Sequence, residues 1–151
     1  MKKFFFIPLL LGFSIIPLSI FFGGFSFSIF LDSISFAIMV LMPTFLLLTH
    51  FSVKEIFASF QNVFKNTNVT EEELRKSILF FKTLEKLIIV SGFISTFYGI
   101  IGMLCNLGNN EAIGKGLAAS LLTIFYGAIL ICFITIPFKS SLEKKLCSKG
   151  L

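Results

Sequence analysis

Four long stretches without a charged side chain dominate this sequence. They cover residues 4–22, 34–49, 87–107 and 116–138 of a chain of 151 residues. A helix needs about 20 mostly apolar residues to cross the hydrocarbon core of a bilayer, because that core is about 30 Å thick and a helix rises about 1.5 Å per residue. The sequence therefore predicts an all-α integral membrane protein with four transmembrane helices in a single membrane domain.

The composition supports this class and excludes others. Hydrophobic residues make up 56% of the chain and charged residues 14%, whereas soluble domains have about 45–50% and about 25%. This balance excludes a soluble globular domain and a disordered chain. The net charge of +5 rests on too few basic residues to favour nucleic-acid binding, so the lipid bilayer is the expected environment.

The first stretch has a second interpretation, because Lys2 and Lys3 precede it as basic residues precede a secretory signal peptide. Two features favour a retained span. The stretch 4–22 is longer than the usual hydrophobic region of about 7–15 residues, and residues 23–27 contain no Ala-x-Ala cleavage site. We therefore prefer the retained span, with a cleaved signal peptide as the alternative.

The basic residues predict the orientation of the spans. With four spans, twelve of the 13 basic residues lie at the N-terminus, in the central loop 50–86 or in the tail 139–151, and only Lys115 lies on the other side. Cytoplasmic segments carry the excess of Lys and Arg in membrane proteins. Both termini and the central loop are therefore expected in the cytoplasm, which is an N-in/C-in topology.

The central loop between the second and third spans is short and is expected to be helical. Thr70 and Glu73 have the spacing of a capping box, in which each residue accepts a hydrogen bond from the backbone of the other. The pattern predicts a helix that begins at Glu71 and continues through residue 86 into the third span.

The spans contain no ionisable side chain. Ionisable residues within a membrane usually mark ion or proton paths, so a chain of this kind that moves ions needs a charged group from another chain. For the same reason a small transporter with its own charged binding group is disfavoured. The sequence also shows no catalytic constellation, no phosphate-binding glycine loop and no metal-ligand cluster, so we expect neither an enzyme nor a bound cofactor or metal.

Spans three and four each carry small and hydroxyl residues at intervals of three and four positions, which places them on one helix face. They are Gly92, Ser95, Thr96, Gly99 and Gly102 in span three, and Gly116, Ala119, Ser120, Thr123 and Gly127 in span four. Such faces let helices approach closely in lipid. Two interpretations stay open: the faces pack an oligomer together, or they line an interior that holds a partner helix, ions and water. Spans one and two are rich in Phe, Leu and Ile and are expected to face lipid.

The same two spans resemble the MotA/TolQ/ExbB proton-channel family. The segment STFYGIIGM at 95–103 is similar to the family's Gly-Thr-x-x-Gly-x-Ile-Gly-Met segment in its third span. Residues 111–127 resemble the following loop and fourth span, and Pro137 falls where the family has a proline near the cytoplasmic end of that span. The motif FLDSIS at 30–35 is similar to the first periplasmic link of the MotA-like branch.

The resemblance implies a complex in the bacterial cytoplasmic membrane. Five subunits would form a ring around the single spans of two MotB/TolR/ExbD-like partner chains, and an Asp of the partner would carry the proton. By the resemblance, the residues on the ion path or facing the partner are Thr96, Thr123, Ser95 and Ser120. Those that pack around the partner are Gly92, Gly99, Gly102, Gly127 and Pro137. The implied function is that of an ion-channel subunit that uses ion-motive force to drive the partner.

Two positions depart from the family pattern. Ile89 stands where MotA-like proteins commonly have a proline, and Ile124 replaces the second hydroxyl of a frequent Thr-Thr pair that faces the ion path in many members. These departures support an alternative function, a non-conducting membrane scaffold or assembly protein that kept the fold. The loop 50–86 is also far shorter than in flagellar stators, which favours a Ton/Tol-like or other energising role over direct flagellar torque.

Overall fold

The computed structural model describes residues 6–65 and 69–149, and the secondary structure within these ranges is helical. These described residues form six successive α-helices: α1 Phe6–Phe22, α2 Ser33–Leu48, α3 Val53–Phe64, α4 Glu71–Leu104, α5 Asn110–Leu130 and α6 Ile136–Cys147. A 3₁₀-helix, Phe27–Phe30, precedes α2, and a π-helical turn, Ile131–Thr135, joins α5 to α6. The all-α prediction is therefore confirmed for the described residues.

Within the described residues, three helical segments are long and apolar enough to cross a membrane: Phe27–Leu48, Glu71–Leu104 and Asn110–Cys147. They cover the second and third predicted spans except for residue 49 and residues 105–107, and they cover the whole of the fourth. The first predicted span begins at residues 4 and 5, outside the described residues, and α1 has 17 residues. At about 1.5 Å per residue α1 is about 26 Å long, short of a hydrocarbon core of about 30 Å. Four crossings and the N-in/C-in topology stay predictions.

Helix α4 begins where the capping-box pattern places it. Thr70 Oγ1 accepts a hydrogen bond from the Glu73 backbone N–H at 3.3 Å, and the Glu73 carboxylate accepts one from the Thr70 backbone N–H at 2.8 Å. The bonds from the Thr70 backbone and side chain hold the pKa of Glu73 below its ordinary value. The helix then continues without interruption to Leu104, so the predicted continuity from the central loop into the third span is confirmed.

The first half of α4 packs with α3 and α6 into a small three-helix unit, called here the basal bundle. Its core is an aromatic cluster of Phe51, Phe60, Phe80, Phe81 and Phe138, whose rings meet edge to face at centroid distances of 5.0–6.0 Å. Each such pair contributes about 0.5–1.5 kcal/mol beyond the area it buries. The short central loop and helix α6 therefore share one apolar core.

A lysine of α6 joins α6 to the C-terminal end of α3 in the basal bundle. Lys145 Nζ donates hydrogen bonds to the backbone carbonyls of Asn62, Val63 and Lys65 at 2.9, 2.7 and 2.6 Å. These carbonyls lie at the C-terminal end of α3, where a helix has no internal donors left and carries a partial negative charge. Burial lowers the pKa of Lys145, while the three carbonyls stabilise its charged form. Lys145 therefore holds α6 against the end of α3.

The fourth predicted span continues beyond residue 138 as helix α6. Pro137 lies in the first turn of α6, directly after the π-helical turn. Proline has no backbone N–H, so the carbonyl four residues earlier loses its usual donor and the helix must adjust locally. The Thr135 hydroxyl donates to the Ile131 carbonyl at 2.9 Å. The chain passes through this irregular turn without ending the helix.

Helices α1 and α2 differ in how much they bury. Among the described side chains of α1 only Ile20 is buried, and the Phe13 ring meets the Phe133 ring at 5.4 Å. Helix α2 buries one stripe at intervals of four residues, namely Ser35, Met39, Pro43 and Leu47. Helix α1 has the exposure expected of a lipid-facing helix, whereas α2 also packs against α4 and α5.

Candidate functional site

Helices α4 and α5 meet at a seam of small residues. A Cβ atom at Gly99 would lie 2.2 Å from Ser120 Oγ and 3.1 Å from the Gly116 carbonyl oxygen. A Cβ at Gly116 would lie 3.0 Å from the Gly99 carbonyl oxygen. The two backbones therefore approach too closely for a larger side chain at either glycine, as expected for helices that associate through small residues.

Buried hydroxyls lie along this seam. Ser95 Oγ and Thr123 Oγ1 are 3.4 Å apart, and the two residues are only 6% and 1% exposed. Ser120 Oγ donates to the Gly116 carbonyl at 2.9 Å, and Thr123 Oγ1 donates to the Ala119 carbonyl at 2.8 Å. The hydroxyls of Ser120 and Thr123 are therefore satisfied within the seam, by backbone carbonyls and, for Thr123, also by the Ser95 hydroxyl.

Ser91 lies one helical turn before Ser95 on α4. It is fully buried, and its Oγ has no hydrogen-bond partner among the described residues. Buried polar atoms without a partner are rare in native proteins, and each destabilises the fold by about 1–3 kcal/mol. Ser91 is therefore a buried hydroxyl next to the seam whose hydrogen-bonding capacity is unused among the described residues.

One groove beside the seam, called here the Thr96 groove, has a volume of about 290 Å³. Its lining consists of Ile88, Ile89, Gly92, Phe93, Thr96, Thr123, Ile124, Gly127, Ala128 and Ile131. The hydroxyls of Thr96 and Thr123 are the polar side-chain groups in that lining. Thr96 is half-buried and donates to the Gly92 carbonyl at 2.8 Å, while Ile89 and Ile124 are 44% and 53% exposed. Both departures from the family pattern thus lie beside Thr96.

A second groove, called here the Asp32 groove, lies between α2, α4 and α5 and has a volume of about 520 Å³. Its polar lining includes Asp32, Ser35, Ser95 and Lys115. The Asp32 carboxylate caps α2 by accepting from the Ser35 backbone N–H at 3.1 Å. Tyr126 fixes the chain here, since its hydroxyl donates to the Phe30 carbonyl at 2.6 Å and accepts from the Asp32 backbone N–H at 3.0 Å.

The residues selected from the sequence divide between these places. Gly92, Thr96 and Gly127 line the Thr96 groove; Ser95, Gly99 and Gly102 line the Asp32 groove; Thr123 lines both. Ser120 lies buried in the seam, and Pro137 lies apart from both grooves at the start of α6. The small-residue face of α4 is broad, and α5 packs against its middle at Gly99. The two edges of that face therefore open into different grooves of the subunit.

The polar end of the Asp32 groove went unrecognised in the sequence as part of a site. Asp32 and Ser35 have the spacing of an N-cap residue and the residue whose backbone N–H donates to its side chain. This local pattern predicts the start of α2. The bond from Tyr126 joins residues 96 positions apart in the chain, so no local pattern indicates it. Among the described residues no group of three or more His, Cys, Asp or Glu side chains could hold a metal ion.

Comparisons with known proteins identify relatives of this chain. The model of the MotA/TolQ/ExbB proton channel family matches residues 51–148, which include the basal bundle, the seam and both threonines. Motility protein A of Aquifex aeolicus (strain VF5) is 36% identical over 74 residues, 49% of this chain and 29% of the relative. Chemotaxis protein PomA of Vibrio alginolyticus is 32% identical over 79 residues, 52% of this chain and 31% of the relative.

Motility protein A of Borreliella burgdorferi is 36% identical over 64 residues, which are 42% of this chain and 25% of the relative. The matched segments thus span less than a third of the length of each of these relatives. The family model, in contrast, covers well over half of this chain. The protein is therefore a helical membrane protein that belongs to the MotA/TolQ/ExbB proton channel family.

Proposed function

We propose that this protein is an ion-channel subunit of a stator-like complex in the bacterial cytoplasmic membrane. The observation that carries the proposal is the Thr96 groove. It is open at the surface of the subunit, it holds two threonine hydroxyls beside a buried seam, and its lining has no ionisable side chain. A groove of this kind suits a partner helix that is apolar except for one carboxylate. The apolar lining would pack against the helix, and the carboxylate would need a nearby hydrogen-bonding group such as a threonine hydroxyl.

The partner we propose is a MotB/TolR/ExbD-like chain whose single span carries an Asp. Thr96 would hydrogen-bond to that Asp as it gains and loses a proton, with Thr123 lining the same groove, and Gly92 would admit the partner helix closely. Family membership supports a ring of subunits around the partner, and five is the number we propose. Because the basal bundle contains only α3 and the ends of α4 and α6, we propose an energising role other than direct contact with a flagellar rotor.

A specific observation favours a second candidate function. Ile89 and Ile124 line the same groove as Thr96 and are both well exposed, so they make the surface available to a partner more apolar than a row of hydroxyls would be. A chain that binds a partner but conducts no ions would have such a groove. The second candidate is therefore a non-conducting scaffold or assembly protein of the same fold.

Two single substitutions in the Thr96 groove are expected to change ion flux in opposite directions. Thr96→Val keeps the shape of the side chain and removes its hydroxyl, so proton flux through the reconstituted complex should fall at least about tenfold, as loss of one solvating bond to a charged group allows. Ile124→Thr adds a hydroxyl and should raise flux by a few-fold. The measurement is proton flux in liposomes that contain the chain and its partner.

Matched controls separate conduction from assembly. Both variants should co-purify with the partner as well as the parent chain does, because Thr96→Val keeps the shape of the side chain and Ile124 is 53% exposed, so that its change opens no cavity in the subunit core. Leu121→Thr, at an exposed position of α5 outside the lining of the groove, should leave flux unchanged. Equal flux in Thr96→Val and the parent would remove Thr96 from the path, and a complex that stays ion-tight even with Ile124→Thr would favour the scaffold.

A further inference from the structure

Helix α3 has a wider apolar face than the basal bundle covers. Ile56, Phe60 and Val63 pack against the aromatic cluster and its surroundings. A second set on the same helix is more exposed: Val53, Phe57 and Phe64 are 56%, 64% and 46% exposed. Phe64 also meets the Phe138 ring at 5.8 Å, so this second set directly continues the bundle core. An exposed phenylalanine at the centre of such a set is typical of an interaction surface.

These three apolar residues form one stripe along the helix. Val53 and Phe57 are four positions apart, and Phe64 follows seven positions later, so the three side chains lie nearly above one another. Exposed polar residues flank the stripe, with Lys54 and Gln61 on one side. An apolar stripe with a long basic side chain at its edge is the pattern of a helix that lies in the plane of a membrane surface.

The position of α3 in the chain fits this environment. Helix α2 ends at Leu48 and α3 begins at Val53, five residue steps that can extend at most about 18 Å. The connection is tighter than that limit, because the Phe51 backbone N–H donates to the Leu47 carbonyl at 2.8 Å. The last turns of α2 also expose apolar side chains, with Phe45 and Leu48 at 64% and 44%. The stripe thus begins directly where a membrane-spanning helix ends.

We propose that α3 lies in the headgroup region of the bilayer at this end of α2. Its stripe of Val53, Phe57 and Phe64 faces the upper acyl chains, and Lys54 reaches the lipid phosphates. The basal bundle is then held against the membrane surface by α3 as well as by the two long helices that leave it. This binding of lipid does not depend on ion conduction or on any partner, so it stands or falls separately from the proposed channel.

The natural sequence has no tryptophan, which makes the test direct. Phe57→Trp introduces the single indole of the chain at the centre of the stripe, and Ala58→Trp introduces it at the next, exposed position outside the stripe. Each full-length variant is reconstituted into liposomes of phosphatidylethanolamine and phosphatidylglycerol that contain lipids brominated near the headgroup end of the acyl chain. We expect the Phe57→Trp indole to be quenched at least about threefold more strongly than the control, with blue-shifted emission.

Each other outcome overturns the proposal. Water-like emission with equal, weak quenching in both variants would place the stripe in solution. Blue-shifted emission without quenching would mean that protein, from a second copy or a partner, covers it. Far-UV circular dichroism and size-exclusion chromatography identify a variant that fails to fold, and Val53→Trp then probes the same stripe one turn earlier.

Discussion

Gly99→Val is expected to prevent the stable packing of α4 against α5. The new Cβ would lie 2.2 Å from Ser120 Oγ, 3.1 Å from the Gly116 carbonyl oxygen and 3.2 Å from the Ser120 backbone nitrogen. Ser120 can turn its side chain away, but the two backbone atoms cannot move without separating the helices. Overpacking usually costs about 1–3 kcal/mol, and contact with backbone on a facing helix should place this variant at or above the upper end. Unfolding in mixed micelles, followed by circular dichroism, measures the loss.

The control is Gly102→Val, one turn further along the same helix. A Cβ at Gly102 would meet no atom of the described residues within 4 Å apart from the neighbouring turns of its own helix backbone, so this variant should lose little stability although its change in helix propensity is the same. The double variant Gly99→Ala with Ser120→Gly removes the hydroxyl that the new methyl would strike, and it should recover part of the stability lost by Gly99→Ala alone. Equal stability of Gly99→Val and Gly102→Val would contradict the close seam.

Gly92→Leu is expected to abolish partner binding while leaving the subunit folded. A Cβ at Gly92 would meet no atom within 4 Å in the described part of the chain, apart from the neighbouring turns of its own helix backbone, and Gly92 lines the Thr96 groove. A leucine there fills space that, by the proposed function, the partner helix occupies. The yield of partner that co-purifies with the tagged chain should fall at least about tenfold, which corresponds to a loss of about 1.4 kcal/mol or more.

The matched control for this variant is Gly102→Leu, whose side chain enters the Asp32 groove. It should keep the partner, because that groove is bounded by α2 of the same subunit. Native mass spectrometry reports subunit number in the same samples. Retained partner in Gly92→Leu together with a changed subunit number would show that the Thr96 groove holds a neighbouring subunit, and the partner assignment would then be wrong.

Much of the helical layout could be predicted from local patterns. The second predicted span, 34–49, differs by one residue at each end from α2, Ser33–Leu48. Both ends depend on local sequence, since Asp32 caps the start of the helix and the apolar run stops near its end. The capping box of Thr70 and Glu73 likewise fixes the start of α4. Ser52 and Glu55 form a second capping box at the start of α3, and their spacing in the sequence is the same as that of Thr70 and Glu73.

The arrangement of the site could not be predicted in the same way. Helical spacing shows that Ser95, Thr96 and Gly99 share a face, but it does not indicate which residue of α5 lies opposite, and that contact decides which groove each edge lines. The bonds from Lys145 to the end of α3 join residues about 80 positions apart. Such contacts depend on tertiary packing, which no repeat along one helix encodes.

The most direct test of the central claim is proton flux through the complex of this chain with a partner whose single span carries an Asp. Three samples are compared in liposomes: the chain alone, the chain with the partner, and the chain with a partner in which that Asp is replaced by Asn. The account predicts flux only in the second sample, because the spans of this chain supply hydroxyls and no charge. Flux through the chain alone, or no flux through the chain with its intact partner, would contradict it.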